Sequence, residues 1–184
     1  MRIRGTFLKD YVKIVQETPE LDWNKFLTAE DWAIARALVV PTEWYPAETM
    51  AHIGRGLFEM RSQRNYAAVR VHGRMRVDTS YDDATKKFLL KDNPRASLSA
   101  YAGIARRYID DLNIALEKSA PGRADVCFYP VDGIPAWDLF REIQAGTLER
   151  LVELNGGINP RAELLAETRQ GREACIMRLT WSAK

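Results

Sequence analysis

Residues 136–181 read AWDLFREIQAGTLERLVELNGGINPRAELLAETRQGREACIMRLTW, and their reading decides the fold. Leu139, Phe140, Ile143, Thr147, Leu148, Leu151 and Leu154 recur at three- and four-residue steps, which puts them on one face of a helix. Glu142, Glu149, Arg150 and Glu153 fall mostly elsewhere. Asn155-Gly156-Gly157 supplies the stop, because a left-handed C-terminal residue suits Gly or Asn. Gly146 costs the helix about 1 kcal/mol relative to Ala, so it predicts a close backbone approach or a kink. The period then drops to two: Cys175, Met177, Leu179 and Trp181 alternate with Ala174, Ile176, Arg178 and Thr180. That is a strand, with Gln170-Gly171 as the turn of a hairpin begun by Arg161–Arg169. Neither strand face is wholly polar, so both are expected to be covered in part.

Upstream, Leu112, Ile114 and Leu116 alternate, Pro121-Gly122 turns, and Ala124, Val126 and Phe128 alternate again, which predicts a second hairpin. A helix continuing from Ser97 to Ser119 is the competing reading. The first half is helical. Phe7, Leu8, Tyr11, Val12 and Val15 form a stripe over 6–17. Thr28 with Asp31 has the spacing of a helix cap before Trp32, Ala35, Leu38 and Val39. Pro46 suits the first turn of a helix carrying Met50, Ile53, Leu57 and Met60. Residues 65–77 fit a strand about as well as a helix, and the helical flanks favour a helix. Helices are also expected at Asp82–Leu90 and after a capping Ser97. The predicted class is α+β. A helical N-terminal half (1–96) packs on a small antiparallel sheet of about four strands in the second half (97–184), in the order helix, hairpin, helix, hairpin. No low-complexity linker divides the chain, so residues 1–184 are expected to form one domain.

The totals narrow the function. A length of 184 residues with 46% hydrophobic content supports a substantial core. A net charge of +2 gives no reason to expect nucleic-acid or membrane-surface binding. No apolar run reaches a membrane-spanning length, and the charged N-terminus lacks a signal-peptide core. Two distant cysteines, Cys127 and Cys175, predict reduced thiols and a cytoplasmic setting.

This order of elements, with Gly146-Thr147-Leu148-Glu149, Gly156-Gly157 and the closing Cys175–Trp181 run, resembles a superfamily of three branches. It holds 4-vinyl-reductase-like ligand-binding domains, haem nitric-oxide-binding domains and TRAPP vesicle-tethering subunits. Trp44-Tyr45-Pro46 and His52-Ile53-Gly54-Arg55-Gly56 look like a paralogous family common in myxobacteria. The resemblance implies a regulatory ligand-binding or partner-binding module. Haem-binding members use a proximal His and a Tyr-x-Ser-x-Arg motif, and aromatic-sensing members a cysteine-rich zinc site. This chain has neither the motif nor the cysteines, so neither haem nor a metal is expected.

The residues themselves carry little chemistry. A zinc site needs about four ligands, and two cysteines with His52 and His72 match no usual spacing. His52 could be a base or ligand, but no nucleophile accompanies it. The arginines flanking His72 should discourage its protonation. Arg55, Arg61, Arg64, Arg70, Arg74 and Arg76 form a basic stretch that reads as a solvated face or as a surface for an acidic partner. Asp82-Asp83 and Asp110-Asp111 diverge rather than converge, and Gly54-x-Gly56 lies within a helix, so it is no dinucleotide fingerprint. No catalytic residues are assigned. Trp44, Tyr45, His52, Arg55, Tyr101, Trp137 and Trp181 are the candidates for binding a ligand or partner. The expected function is a non-enzymatic sensory module that binds a partner protein or a small apolar ligand between the two halves. An enzyme assembled around His52, Arg55, Glu59 and Tyr101 is the alternative. The apolar last strand, if uncovered or at a sheet edge, should also favour a homodimer or partner complex.

Overall fold

The computed structural model describes residues 1–81, 83–129, 134–169 and 172–182. The element order is β1 (Arg2–Arg4), α1 (Gly5–Glu17), α2 (Ala29–Arg36), β2 (Trp44–Pro46), α3 (Ala47–Met60), α4 (Tyr66–Thr79), α5 (Asp83–Leu89) and α6 (Pro94–Ile104). Then come β3 (Asn113–Ala120), β4 (Arg123–Tyr129), α7 (Trp137–Leu154), β5 (Ile158–Arg169) and β6 (Arg172–Ser182). The α+β class holds, with helix, hairpin, helix, hairpin in the second half. Residues 65–77 are helical, and the stretch from Asn113 is strand rather than a continued helix. The Gln170-Gly171 turn lies outside the described residues.

The sheet has the antiparallel order β3-β4-β6-β5. Phe128 faces Cys175, Val126 faces Met177, and Ala124 faces Leu179, which in turn faces Ala162. These residues share the face buried in the main core. Cys127, Ile176 and Leu165 take the other face. The last strand is therefore interior, and the edges are β3 and β5. The expectation of a partner strand along β6 loses its ground, because β6 already pairs on both sides.

Cys127 and Cys175 stand on opposite faces of the sheet, so no disulfide can join them without rebuilding the strands. Burial raises the Cys175 thiol to about 11, with Cys127 adding to the effect. Denaturing alkylation without reductant is expected to label both thiols, and a linked, unlabelled pair in the mass spectrum would contradict this placement.

Helix α7 departs from the sequence reading. It is not amphipathic: Leu139, Ile143, Ala145, Leu148, Leu151 and Val152 are buried, and so are Gln144, Thr147 and Glu149. The reason is its position. It packs against β5 and β6 on one side and against α4 and α6 on the others. Gly73 and Gly146 let α4 and α7 touch backbone to backbone, since a Cβ at either position would run into the other helix's main chain. The sequence signal at Gly146 thus marks a helix crossing. Gly156 has φ +93° and closes α7 as predicted.

Two other local expectations shift, and a third holds. Pro46 stands at the N-cap of α3, one residue before the first turn expected for it, and Trp44-Tyr45-Pro46 forms strand β2, paired with β1. Helix α6 is capped by Asn93, whose side chain accepts from the Ala96 N–H, with Pro94 opening the first turn, so Ser97 lies inside the helix. Thr28 and Asp31 do form a reciprocal capping box at α2. Among the described residues no helix is long and apolar enough to cross a membrane.

Candidate functional site

The main cavity lies where the helical half meets the C-terminal half. It measures about 210 Å³. Ile3 and Ile109 close one side, Met50, Gly54 and Leu57 of α3 a second, and Val69 of α4 with Leu139 and Ile143 of α7 a third. Its place follows from the N-terminal strand. The β1–β2 pair is bridged to Ile109 by Ile3, and Asp110 accepts from the Arg2 guanidinium Nε at 2.6 Å. The first residues are thereby tied across the junction, roofing a space that α3, α4 and α7 leave open.

The polar features of this wall are few. The Tyr11 hydroxyl and His72 Nε2 share a hydrogen bond of 3.1 Å, with the two rings edge to face. The His72 pKa is lowered to about 4, chiefly by burial, with Arg76 adding to the effect and Asp10 opposing it. The sequence reading placed the cause in the neighbouring arginines, whereas loss of solvent leads. Exposed Arg61 and the adjacent Ser62 complete the lining at the solvent side.

A neutral buried histidine has a consequence for stability. The unfolded chain takes up this proton near pH 6.5 and the folded chain only near 4. Stability should therefore fall as pH drops through that window, by about 3 kcal/mol in all, and the loss should level off below it. Urea denaturation between pH 7 and 4 is expected to show a shallower acid limb in His72→Gln than in the parent protein. Parallel limbs would mean that His72 protonates freely in the fold.

A second, smaller cavity of about 30 Å³ lies behind Ile109, Phe140 and Ile143. Aromatic rings fill its surroundings: Phe7 stacks on Tyr108 at 5.0 Å, and Tyr81 meets both edge-on. Tyr101 donates to the Gln144 side-chain oxygen there. Burial pushes the Tyr81 hydroxyl up to about 12 and also raises the Tyr101 hydroxyl well above its usual value.

The seven sequence candidates do not converge. Tyr101 borders the smaller cavity, and none of the seven lines the larger one. Trp44 lies beneath the Arg4 guanidinium at 4.1 Å and the Tyr45 hydroxyl accepts from the Val40 N–H. His52 Nδ1 donates to Asp31 at 2.8 Å. Burial would raise the Asp31 carboxyl, but hydrogen bonds from Thr28, Thr49 and His52 hold it below its usual range. Arg55 grips Asp138 with both terminal nitrogens, at 3.0 and 2.5 Å. Trp137 stacks on Phe140, and Trp181 packs beside Gly157. Glu59 pairs with Arg64, so His52, Arg55, Glu59 and Tyr101 are each engaged separately. Among the described residues no three His, Cys, Asp or Glu side chains group as metal ligands.

From Arg70 onward the basic stretch is neither a solvated face nor an open docking surface. Arg70 pairs with Glu142 and Glu149, Arg74 with Glu149 and Glu153, and Arg76 lies over the Phe7 ring at 4.2 Å. The carboxylate pairs clamp α4 onto α7, and the Arg76 contact ties α4 to α1. Glu149 also accepts from the Ala162 N–H, linking the clamp to β5. Glu149→Ala is expected to cost about 1–3 kcal/mol by leaving a buried N–H unpaired, measurable by denaturant titration, and a neutral result would show that water replaces the carboxylate. The cavity residues were missed in the sequence because most are ordinary aliphatics. His72, as a histidine within a helical stripe, and Arg61, within the basic stretch, did carry a signal.

The arrangement defines a class: an α+β domain with an apolar cavity between its helical half and helix α7, which packs on the four-stranded sheet. No known family's sequence profile matches the chain, and no curated protein does. Solved structures match its fold from end to end. A T. Tengcongensis H-NOX mutant shares 12% identity at TM-score 0.65, covering 97% of each chain. An unliganded Fe(II) H-NOX mutant from K. algicida gives 12% and 0.64, covering 99% of this chain and 98% of that one. A Cs H-NOX mutant gives 12% and 0.66, covering 97% and 96%. The chain thus has the H-NOX fold, which carries the haem-nitric-oxide-binding part of the resemblance read from the sequence.

That fold implies haem, and the cavity residues do not fit one. A cavity of about 150 Å³ accepts benzene, and a porphyrin is several times larger than benzene, against about 210 Å³ here. The one histidine on the wall has its Nε2 engaged by Tyr11, and His52 bonds Asp31 outside the cavity. A tyrosine ligand would have to ionise, which burial of Tyr11, Tyr81 and Tyr101 opposes.

Proposed function

We propose that this chain is a sensory module that binds a small apolar molecule directly in the cavity between its halves, without a haem. The observation that carries this reading is the cavity itself. It is lined mostly by aliphatic and aromatic side chains, opens to solvent beside Arg61 and Ser62, and is large enough for a molecule somewhat bigger than benzene. The H-NOX fold supports it, since solved proteins of this fold are described by the distortion of the haem they carry. The absence of convergent polar groups at His52, Arg55, Glu59 and Tyr101 favours binding over catalysis. Trp44, Tyr45, Trp137 and Trp181 remain candidates for a partner surface rather than for the cavity. A homodimer or partner complex that reads the bound state belongs to the same proposal, and light scattering across a concentration series checks its self-association.

The ligand test uses Gly54. A Cβ there meets only the Tyr11 ring at 3.8 Å, so a side chain can grow into the space. Toluene and indole are expected to raise the thermal midpoint of the parent protein and to shift the methyl NMR signals of Ile3, Leu57 and Ile143. Gly54→Leu should fold and bind neither. Equal responses from both proteins would place binding elsewhere and sink the reading.

A further inference from the structure

The cavity has one charged group with nothing to answer it. Of the six arginines between residues 55 and 76, five are engaged: Arg55 by Asp138, Arg64 by Glu59, Arg70 and Arg74 by the α7 glutamates, and Arg76 by the Phe7 ring. Arg61 is different. Among the described residues no carboxylate or ring faces its guanidinium, and it is the one of the six that lines the cavity. It sits at the C-terminal end of α3, and the following turn is fixed by left-handed residues, Gln63 at φ 48° and Arg64 at φ 61°. Ser62, a donor and acceptor, stands beside it on the same wall. Deeper in, the polar Tyr11 and His72 groups are turned on each other, and the remaining walls are aliphatic and aromatic.

We infer that the natural ligand is a small amphipathic carboxylate, with its apolar body in the cavity and its carboxylate at Arg61. This rests on the cavity reading above. Charge and shape decide the class. A neutral hydrocarbon would leave Arg61 unused, and a cationic amphiphile would meet a like charge at the mouth. A carboxylate suits a guanidinium because two parallel N–H donors match its two oxygens. The head stays near solvent, so it is not stripped of water on binding and the large desolvation cost of a buried ion is avoided. Scaling from benzene in about 150 Å³, the space of about 210 Å³ takes a body of about eight carbons. Octanoate and phenylpropanoate have that size.

The test compares octanoate with octanol by calorimetry on the full chain, its Arg61→Gln variant and the Gly54→Leu variant. Arg61 is exposed and has no ion-pair partner among the described residues, so Arg61→Gln should fold as the parent does, which the thermal midpoint checks. The expected result is that octanoate binds the parent about tenfold more tightly than octanol, the scale of a charge-assisted hydrogen bond. Arg61→Gln should remove that difference while leaving octanol binding unchanged, and Gly54→Leu should abolish both. Added salt should weaken octanoate alone. Equal affinities for the two probes, or an octanoate affinity indifferent to Arg61→Gln, would overturn the carboxylate assignment and leave the cavity reading standing. Failure of octanoate, octanol and toluene alike would overturn both.

Discussion

Gly146→Ala is expected to destabilise the protein by about 3 kcal/mol or more, at the upper end of what overpacking costs. The usual expectation runs the other way, because alanine in a helix interior gains about 1 kcal/mol over glycine. Geometry decides. A methyl group at position 146 would overlap the Arg70 carbonyl oxygen of α4 and reach 3.0 Å from the Arg74 nitrogen. Both atoms are backbone, so no rotamer change relieves the clash, and the helices must separate. Separation lengthens the Arg70 and Arg74 pairs with Glu149 and moves Val69 and His72 off the cavity wall. Gly73→Ala meets the Ile143 carbonyl in the same way. Because either change opens the same crossing, the double variant should cost less than the sum of the two. Urea denaturation of the three variants checks this. A stabilised Gly146→Ala protein would show that α4 and α7 do not cross in contact.

Leu148→Ala is expected to cost about 2–5 kcal/mol, the range for removing a large aliphatic side chain from a packed core. Leu148 is 0% exposed, on the side of α7 that belongs to the main core with Val126, Phe128, Met177 and Leu179 of the sheet. The neighbours are held by strand pairing on one side and by helix packing on the other, so they cannot collapse far into the space left behind. Denaturant titration with an unchanged m-value would give the loss directly. A change below about 0.5 kcal/mol, typical of surface sites, would mean that this face of α7 does not meet the sheet. Leu154→Ala on the same helix is a useful contrast, because Leu154 is 37% exposed and its loss should be slight.

Acid sensitivity and ligand binding are coupled through His72. It lines the cavity and must stay neutral there, so a ligand that fills the space and excludes more water should hold its protonation back further. The Asp138 carboxyl acts in a lower range. Burial would raise it, but Arg55 and Tyr66 hold it below its usual value, so its contribution persists to more acidic pH and is lost only as pH falls through that lowered range.

The sequence by itself determined the type and order of the second-half elements. The change of period from 3.6 in Leu139–Leu151 to 2 in Cys175–Trp181 is a local property, set by backbone geometry, and it survives whatever the chain packs against. The Thr28–Asp31 cap and the Gly156 stop are local for the same reason. Residues 65–77 were ambiguous because arginines interrupt both possible stripes, and tertiary contact decided the matter. Those arginines are neither solvated nor free, since Glu142, Glu149 and Glu153 of α7 come to meet them from more than seventy residues away. No spacing within one helix records that partnership. Strands β1 and β2 are three residues each, too short to show a period, and they exist because Arg2–Arg4 lies beside Trp44–Pro46. The interior place of β6 depended on which strands it met, which alternation cannot state. The cavity depended on tertiary structure most of all. Ile3, Leu57, Val69, Ile109 and Ile143 are aliphatics like any in the core, and only their failure to meet across the junction of the two halves makes a site of them.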